Sequence, residues 1–136
     1  MSERGSMSVF TVLFSVVAFL LAGLLVDGGA AINARLRAAD VAEQAARAGA
    51  DRIDVDHLRA TGETRLLGDD EVCARADEIV AAHGGGDVTG RECSVDQGLA
   101  QVTVTVAVRW EAFFLAVIGF PGSETTGAAT AAPEAR

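Results

Sequence analysis

The sequence predicts an α+β fold in which one N-terminal transmembrane helix extends into a small antiparallel sheet domain with short helices. Three observations predict it. Residues 7–26 form a twenty-residue run without a charge, small residues recur at helical spacing up to residue 50, and valine alternates with other residues from Gln101 to Trp110. The length of 136 residues suits a single domain. The net charge of −8 argues against a nucleic-acid partner, because it would repel phosphates.

The apolar run is long enough to cross a bilayer. Twenty helical residues rise about 30 Å, the thickness of the hydrocarbon core. Arg4 and Asp27 mark its boundaries, and Arg4 favours a cytoplasmic N-terminus with the domain outside. Two alternatives stay open: a buried core helix, and a secretory signal cleaved near Gly28 and Ala30 to release a secreted small binding domain.

The chain therefore divides into five parts. They are a flank at 1–6, the transmembrane helix at 7–26, a helix extension at 27–50, a small α+β extracytoplasmic domain at 51–132 and a tail at 133–136. Small residues form one narrow face of the extension: Ala31, Ala34, Ala38, Val41, Ala45 and Ala48. This face packs either on the protein's own sheet or on a helix of another subunit, and both uses are compatible.

The domain begins with a predicted loop from Asp51 to Gly68 that contains at most one short extended piece. A helix follows from Asp69 to His83, with Asp69 as its N-cap and Gly84 as its stop. Its predicted buried face comprises Val72, Cys73, Ala76, Ile79 and Val80.

A hairpin then joins a strand at 88–96 to the alternating strand at 101–110 through a turn at Gln97-Gly98. The apolar segment from Glu111 to Phe120 is too short to span a bilayer, so it is either a packing helix or a patch at the membrane surface. Residues 123–132 form an edge strand or a frayed tail.

Few residues suggest chemistry. Cys73 and Cys93 can form one disulfide in a domain outside the membrane, or remain as buried thiols. The acidic stretch around Asp54 lacks the EF-hand spacing, and the two cysteines and two histidines match no compact zinc pattern. We therefore predict no catalytic residue, metal, cofactor or small-molecule substrate. A cysteine-dependent redox enzyme is the catalytic alternative, and it requires an accessible thiol of low pKa.

The first fifty residues resemble a known family. Arg4-Gly5 immediately precedes the apolar segment, and the end of that segment has the sequence AGLLVDGG at 22–29. The sequence RLRAADVAEQAARAGAD follows at 35–51. This pattern is similar to the TadE/TadG-like proteins of Tad (Flp) pilus assembly. The resemblance implies a membrane-anchored, pilin-like or accessory protein that acts by structural contact. Its expected partners are membrane lipid and other pilus-assembly or pilin-like subunits.

The same resemblance implies a processing site between Gly5 and Ser6. Cleavage there would put Phe10 at the fifth position of the mature chain, where pilin-like subunits usually carry glutamate. The sequence therefore favours an assembly factor retained in the cell membrane over a major fibre subunit, and the cell surface or pilus is the alternative location.

Overall fold

A computed structural model describes the backbone of residues 3–134 and the side chains of residues 5–134. It confirms the α+β class. The elements are α1 (Glu3–Ala50), α2 (Val55–Thr61), α3 (Asp69–His83), β1 (Val88–Asp96), β2 (Gln101–Glu111), a 3-10 helix (Leu115–Ile118) and β3 (Gly122–Ala131).

Helix α1 has two unlike halves. It continues without a break through Gly28 and Gly29. From residue 5 to residue 26 every residue is exposed except Gly23, which is buried. Beyond Asp27, one side of the helix packs on the sheet and on α3. The first half therefore projects from the domain, and the second half is part of its core.

The sheet has the order β1-β2-β3, and both pairs are antiparallel. The predicted alternation of β2 is confirmed, because Val102, Val104, Val106 and Val108 are all buried. Since Val102 lies beside Gly49 of α1, β2 starts at the far end of the helix and runs back toward Asp27. The lengths of the two elements agree with this arrangement, because the 24 residues of α1 from 27 to 50 and the 11 residues of β2 both span roughly 36 Å.

Small residues allow α1 to approach the sheet closely. Ala38, Ala42, Ala45 and Ala46 have no exposed surface. At the closest point, a Cβ atom on Gly127 of β3 would lie 2.2 Å from the Ala39 nitrogen. Helix and strand therefore touch backbone to backbone at this point.

Helix α3 has the predicted bounds, but its ends differ in detail. Gly68 is the N-cap and offers no side chain, so Asp69 is the first helical residue rather than the cap. At the other end Gly84 keeps a right-handed conformation, and Gly85 takes the positive φ of +70°. Arg37 of α1 donates to the Gly84 carbonyl at 2.8 Å, which fixes this turn against the helix.

The predicted loop at 51–68 is wrong in part, because it contains α2. Asp54 caps this helix by accepting the His57 N–H at 2.9 Å, and Gly62 ends it with a φ of +76°. The predicted short extended piece is a single bridge between Ile53 and Leu66. The hairpin turn is also longer than expected and includes Ala100 at a φ of +50°.

Candidate functional site

The segment after β2 forms the main surface feature of the domain. We call residues 112–120, AFFLAVIGF, the apolar loop. The alternative that this segment packs into the core as a helix is wrong: it holds only a four-residue 3-10 helix, and Phe113, Val117 and Ile118 are 76%, 85% and 73% exposed. The loop therefore presents an apolar surface outside the core.

Asp27 holds the apolar loop against α1. Its Oδ1 accepts the N–H of Phe113 at 2.8 Å and that of Phe114 at 3.3 Å, and its Oδ2 accepts the N–H of Leu115 at 2.6 Å. The side chain is buried, with 1% of its surface exposed. One carboxylate thus satisfies three successive backbone donors, two just before the 3-10 helix and one at its first residue, as capping groups do at helix N-termini.

The same bonds set the charge state of Asp27. Burial raises the pKa of this carboxyl group, but the N–H groups of Leu115, Phe113 and Phe114 together lower it further, so the pKa lies below its ordinary value of 3.8. The group is therefore a charged carboxylate at neutral pH.

Phe114 extends the contact into the apolar half of α1. Its ring stands edge-on to Phe19, with ring centroids 5.7 Å apart. A Cβ atom on Gly23 would lie 2.9 Å from the Cβ and Cγ atoms of Phe114, so only glycine leaves room for this ring. Phe19, Gly23 and Asp27 lie four residues apart on one side of the helix, and we call them the clamp face of α1.

The predicted small-residue face lies mostly inside the domain. Ala34, Ala38, Val41 and Ala45 are buried in the core with the sheet and α3, whereas Ala31 and Ala48 are half-buried. The buried face is also wider than the sequence indicated, since Ala42, Ala46, Gly49 and Ala50 belong to it.

Of the residues predicted to mark the membrane boundary or the processing site, Asp27 alone belongs to the clamp face. Gly5 and Ser6 are exposed near the start of α1. The Arg4 side chain is outside the described residues.

The cysteines form a disulfide between Cys73 of α3 and Cys93 of β1, and no free cysteine is present in the described chain. Within residues 3–134, no three histidine, cysteine, aspartate or glutamate side chains come together as a metal site. The disulfide joins a helix to an edge strand of the sheet, so its evident effect is structural.

The comparison with known families identifies the N-terminal part. Residues 5–52 match the family model described as "Putative Flp pilus-assembly TadE/G-like". This segment is TadE/G-like. The resemblance predicted from the sequence is thus confirmed for α1 from Gly5 onward and for the two residues after it, and it supports a role in Flp pilus assembly. No curated protein and no solved structure matches the chain.

The TadE/G-like segment contains all of the clamp face but none of the apolar loop. The family description names pilus assembly and no catalytic activity. Within the described chain, α1 is also the one helix long and apolar enough to cross a membrane, which makes it a candidate anchor. Sequence reasoning named Asp27 only as a boundary residue, because its partners lie 86 to 88 positions away.

Proposed function

We propose that this protein is a membrane-anchored accessory component of Flp pilus assembly that acts by structural contact with other subunits. The observation that carries the proposal is the construction of α1. One unbroken helix joins a TadE/G-like apolar half, exposed from residue 5 to residue 26 except at Gly23, to a half that is part of the core of the domain. Anchor and domain would therefore behave as one rigid unit.

The contact between the clamp face of α1 and the apolar loop favours a retained anchor over a cleaved signal. Cleavage near Gly28 or Ala30 would remove Phe19, Gly23 and Asp27 together. The N–H groups of residues 113–115 would then lose the carboxylate that accepts them. A signal peptidase would therefore discard the residues that hold the apolar loop in its folded position.

Contacts with other subunits need a face that the domain itself does not use. The small-residue face is largely occupied by the sheet and α3. On the opposite side of α1, Leu25, Ile32 and Leu36 are 78%, 62% and 63% exposed, and their spacing places them along one line. We call these three residues the outer face of α1 and propose it as the surface that meets a neighbouring helix.

The test is complementation of a deletion strain, scored by counting pili in electron micrographs. Loss of pili after deletion, with recovery on re-expression, is the expected result. Val16→Arg, in the middle of the apolar run, should fail to restore pili, because a charge at the bilayer centre opposes insertion. Val16→Leu is its matched control and should restore them.

The outer face is tested separately. Ile32→Asp and Leu36→Asp should reduce piliation while leaving the protein in the membrane. Asn33→Asp adds the same charge at a neighbouring exposed position and should have little effect. Normal pili in the deletion strain would overturn the proposed role. Normal pili with the two outer-face variants would overturn only the proposed surface.

A further inference from the structure

We propose that the apolar loop is a second membrane-contacting element, which inserts Phe113, Val117 and Ile118 into the lipid leaflet where α1 enters the membrane. The inference rests on the proposed anchoring of α1. It assigns lipid, rather than a protein partner, as the occupant of the exposed apolar surface of residues 112–120.

The position of the loop along α1 is the first argument. Phe114 packs on Phe19 and Gly23, which precede the end of the apolar run at Val26 by seven and three residues. At a rise of about 1.5 Å per residue, these contacts lie roughly 10 Å and 5 Å inside the run. A bilayer that accepts residues 7–26 therefore meets the loop as well, at the depth typical of interfacial segments.

The distribution of aromatic residues is the second argument. The chain contains six phenylalanines, one tryptophan and no tyrosine. Three phenylalanines lie in the apolar run, and the other three lie in the apolar loop, at positions 113, 114 and 120. Trp110 packs on Phe120 at the edge of the loop, with centroids 6.1 Å apart. Tryptophan at the rim of an apolar segment is typical of membrane interfaces.

The third argument concerns the backbone of the loop. Lipid offers no hydrogen-bond partners, so a segment that enters it must satisfy its own N–H groups. Asp27 accepts three of them, and carbonyl groups of the loop and of Pro121 accept others. In these bonds the N–H of Ala112 donates to the carbonyl of Pro121, and that of Val117 donates to Phe114. The N–H of Gly119 donates to Ala116, and that of Phe120 donates to Leu115.

Charge is the fourth argument. Residues 112–123 carry no charged side chain, and the flanking acids Glu111 and Glu124 lie on the strands on either side. The loop contacts α1 at Phe19 and Gly23, inside its uncharged run, and the carboxylate of Asp27, which the loop also contacts, is buried.

The experiment measures quenching of tryptophan fluorescence by brominated lipid. The full chain is reconstituted into phosphatidylcholine–phosphatidylglycerol vesicles whose acyl chains carry bromine either near the headgroup or near the bilayer centre. Trp110 is first replaced in Trp110→Phe, since it is the one native tryptophan. Single probes are then added as Phe113→Trp or Val117→Trp, two positions whose exposure makes both changes compatible with folding.

Two further probes serve as controls. Phe10→Trp reports on the anchor. Leu99→Trp reports on the opposite end of the sheet, where Leu99 is 66% exposed in the hairpin turn. The proposal predicts strong loss of fluorescence at both loop probes with shallow bromine, weaker loss with deep bromine, and no loss for Leu99→Trp.

The outcomes separate the two proposals. Quenching of Phe10→Trp without quenching of either loop probe overturns insertion of the loop and leaves the anchor standing. A loop that instead binds a soluble or membrane protein would give this result in protein-free vesicles. If Phe10→Trp is not quenched either, both the anchor and the inference are overturned.

Discussion

The ring of Phe114 meets the ring of Phe19 edge-on across 95 positions of sequence, at a centroid distance of 5.7 Å. One partner belongs to the apolar half of α1, and the other belongs to the loop after β2. The contact therefore joins the candidate anchor to the domain directly, in addition to the covalent continuity of the helix.

Replacement of Asp27 should release the apolar loop. In Asp27→Ala, three backbone donors lose their acceptor, and we expect hydrogen exchange at residues 113–115 to accelerate about tenfold or more. Asp27→Asn retains one side-chain oxygen and should show an intermediate effect. Asp40→Asn is the control, because Asp40 is exposed on α1 and bonds to the side chain of Gln44. Unchanged exchange in Asp27→Ala would contradict the role given to this carboxylate.

The disulfide should stabilise the domain appreciably. Cys73 and Cys93 are 20 positions apart, and closing a loop of that length is worth roughly 3 kcal/mol. Reduction should therefore lower the urea midpoint of unfolding. The double variant Cys73→Ser with Cys93→Ser should unfold at the midpoint of the reduced protein and should not respond to reductant. A reductant-induced shift in that variant would show that the effect has another origin.

Gly127 should tolerate no side chain. In Gly127→Ala the new Cβ would lie 2.2 Å from the Ala39 nitrogen and 2.6 Å from the Ala38 carbonyl carbon, so β3 and α1 must separate. Overpacking of this kind typically destabilises by about 1–3 kcal/mol. Gly90→Ala is the matched control on β1, because its nearest neighbour would be an ordinary 3.6 Å away. Equal stability of the two variants in urea unfolding would contradict the close approach.

Acid should weaken the cap of α2. The backbone N–H of His57 and the side chain of Arg65 hold the pKa of Asp54 below its ordinary value of 3.8. A lowered pKa in the folded state contributes stability that is present above the unfolded value and is lost as the pH falls through the folded one. The wild type should therefore lose stability below about pH 4 more steeply than Asp54→Asn. Parallel acid profiles of the two proteins would contradict this assignment.

Local patterns predicted much of the fold. The alternation of β2 follows from one buried and one exposed face, and the bounds of α3 follow from its apolar spacing between Asp69 and His83. The missed helix α2 also had a local signal, since Asp54 and Gly62 bracket its seven residues as an N-cap and a left-handed C-cap.

The contact between the clamp face of α1 and the apolar loop could not be predicted in the same way. Asp27 follows an apolar run, and by itself it indicates only where that run ends. Its role depends on backbone groups of residues 113–115, and those groups have no side-chain signature. Gly23 likewise has no visible function until the ring of Phe114 occupies the space beside it. The roles of Asp27 and Gly23 both arise because β2 runs back along α1 and places residues 113–115 beside them.

The N-terminal residue of the protein recovered from carbonate-washed membranes tests the account most directly. If α1 is a retained anchor that also holds the apolar loop, the mature chain must contain Phe19, Gly23 and Asp27. Sequencing should therefore find a start at Met1, Ser2 or, after processing, Ser6. A mature protein that begins at Ala31 or later, and that is released from membranes by carbonate, would contradict the account.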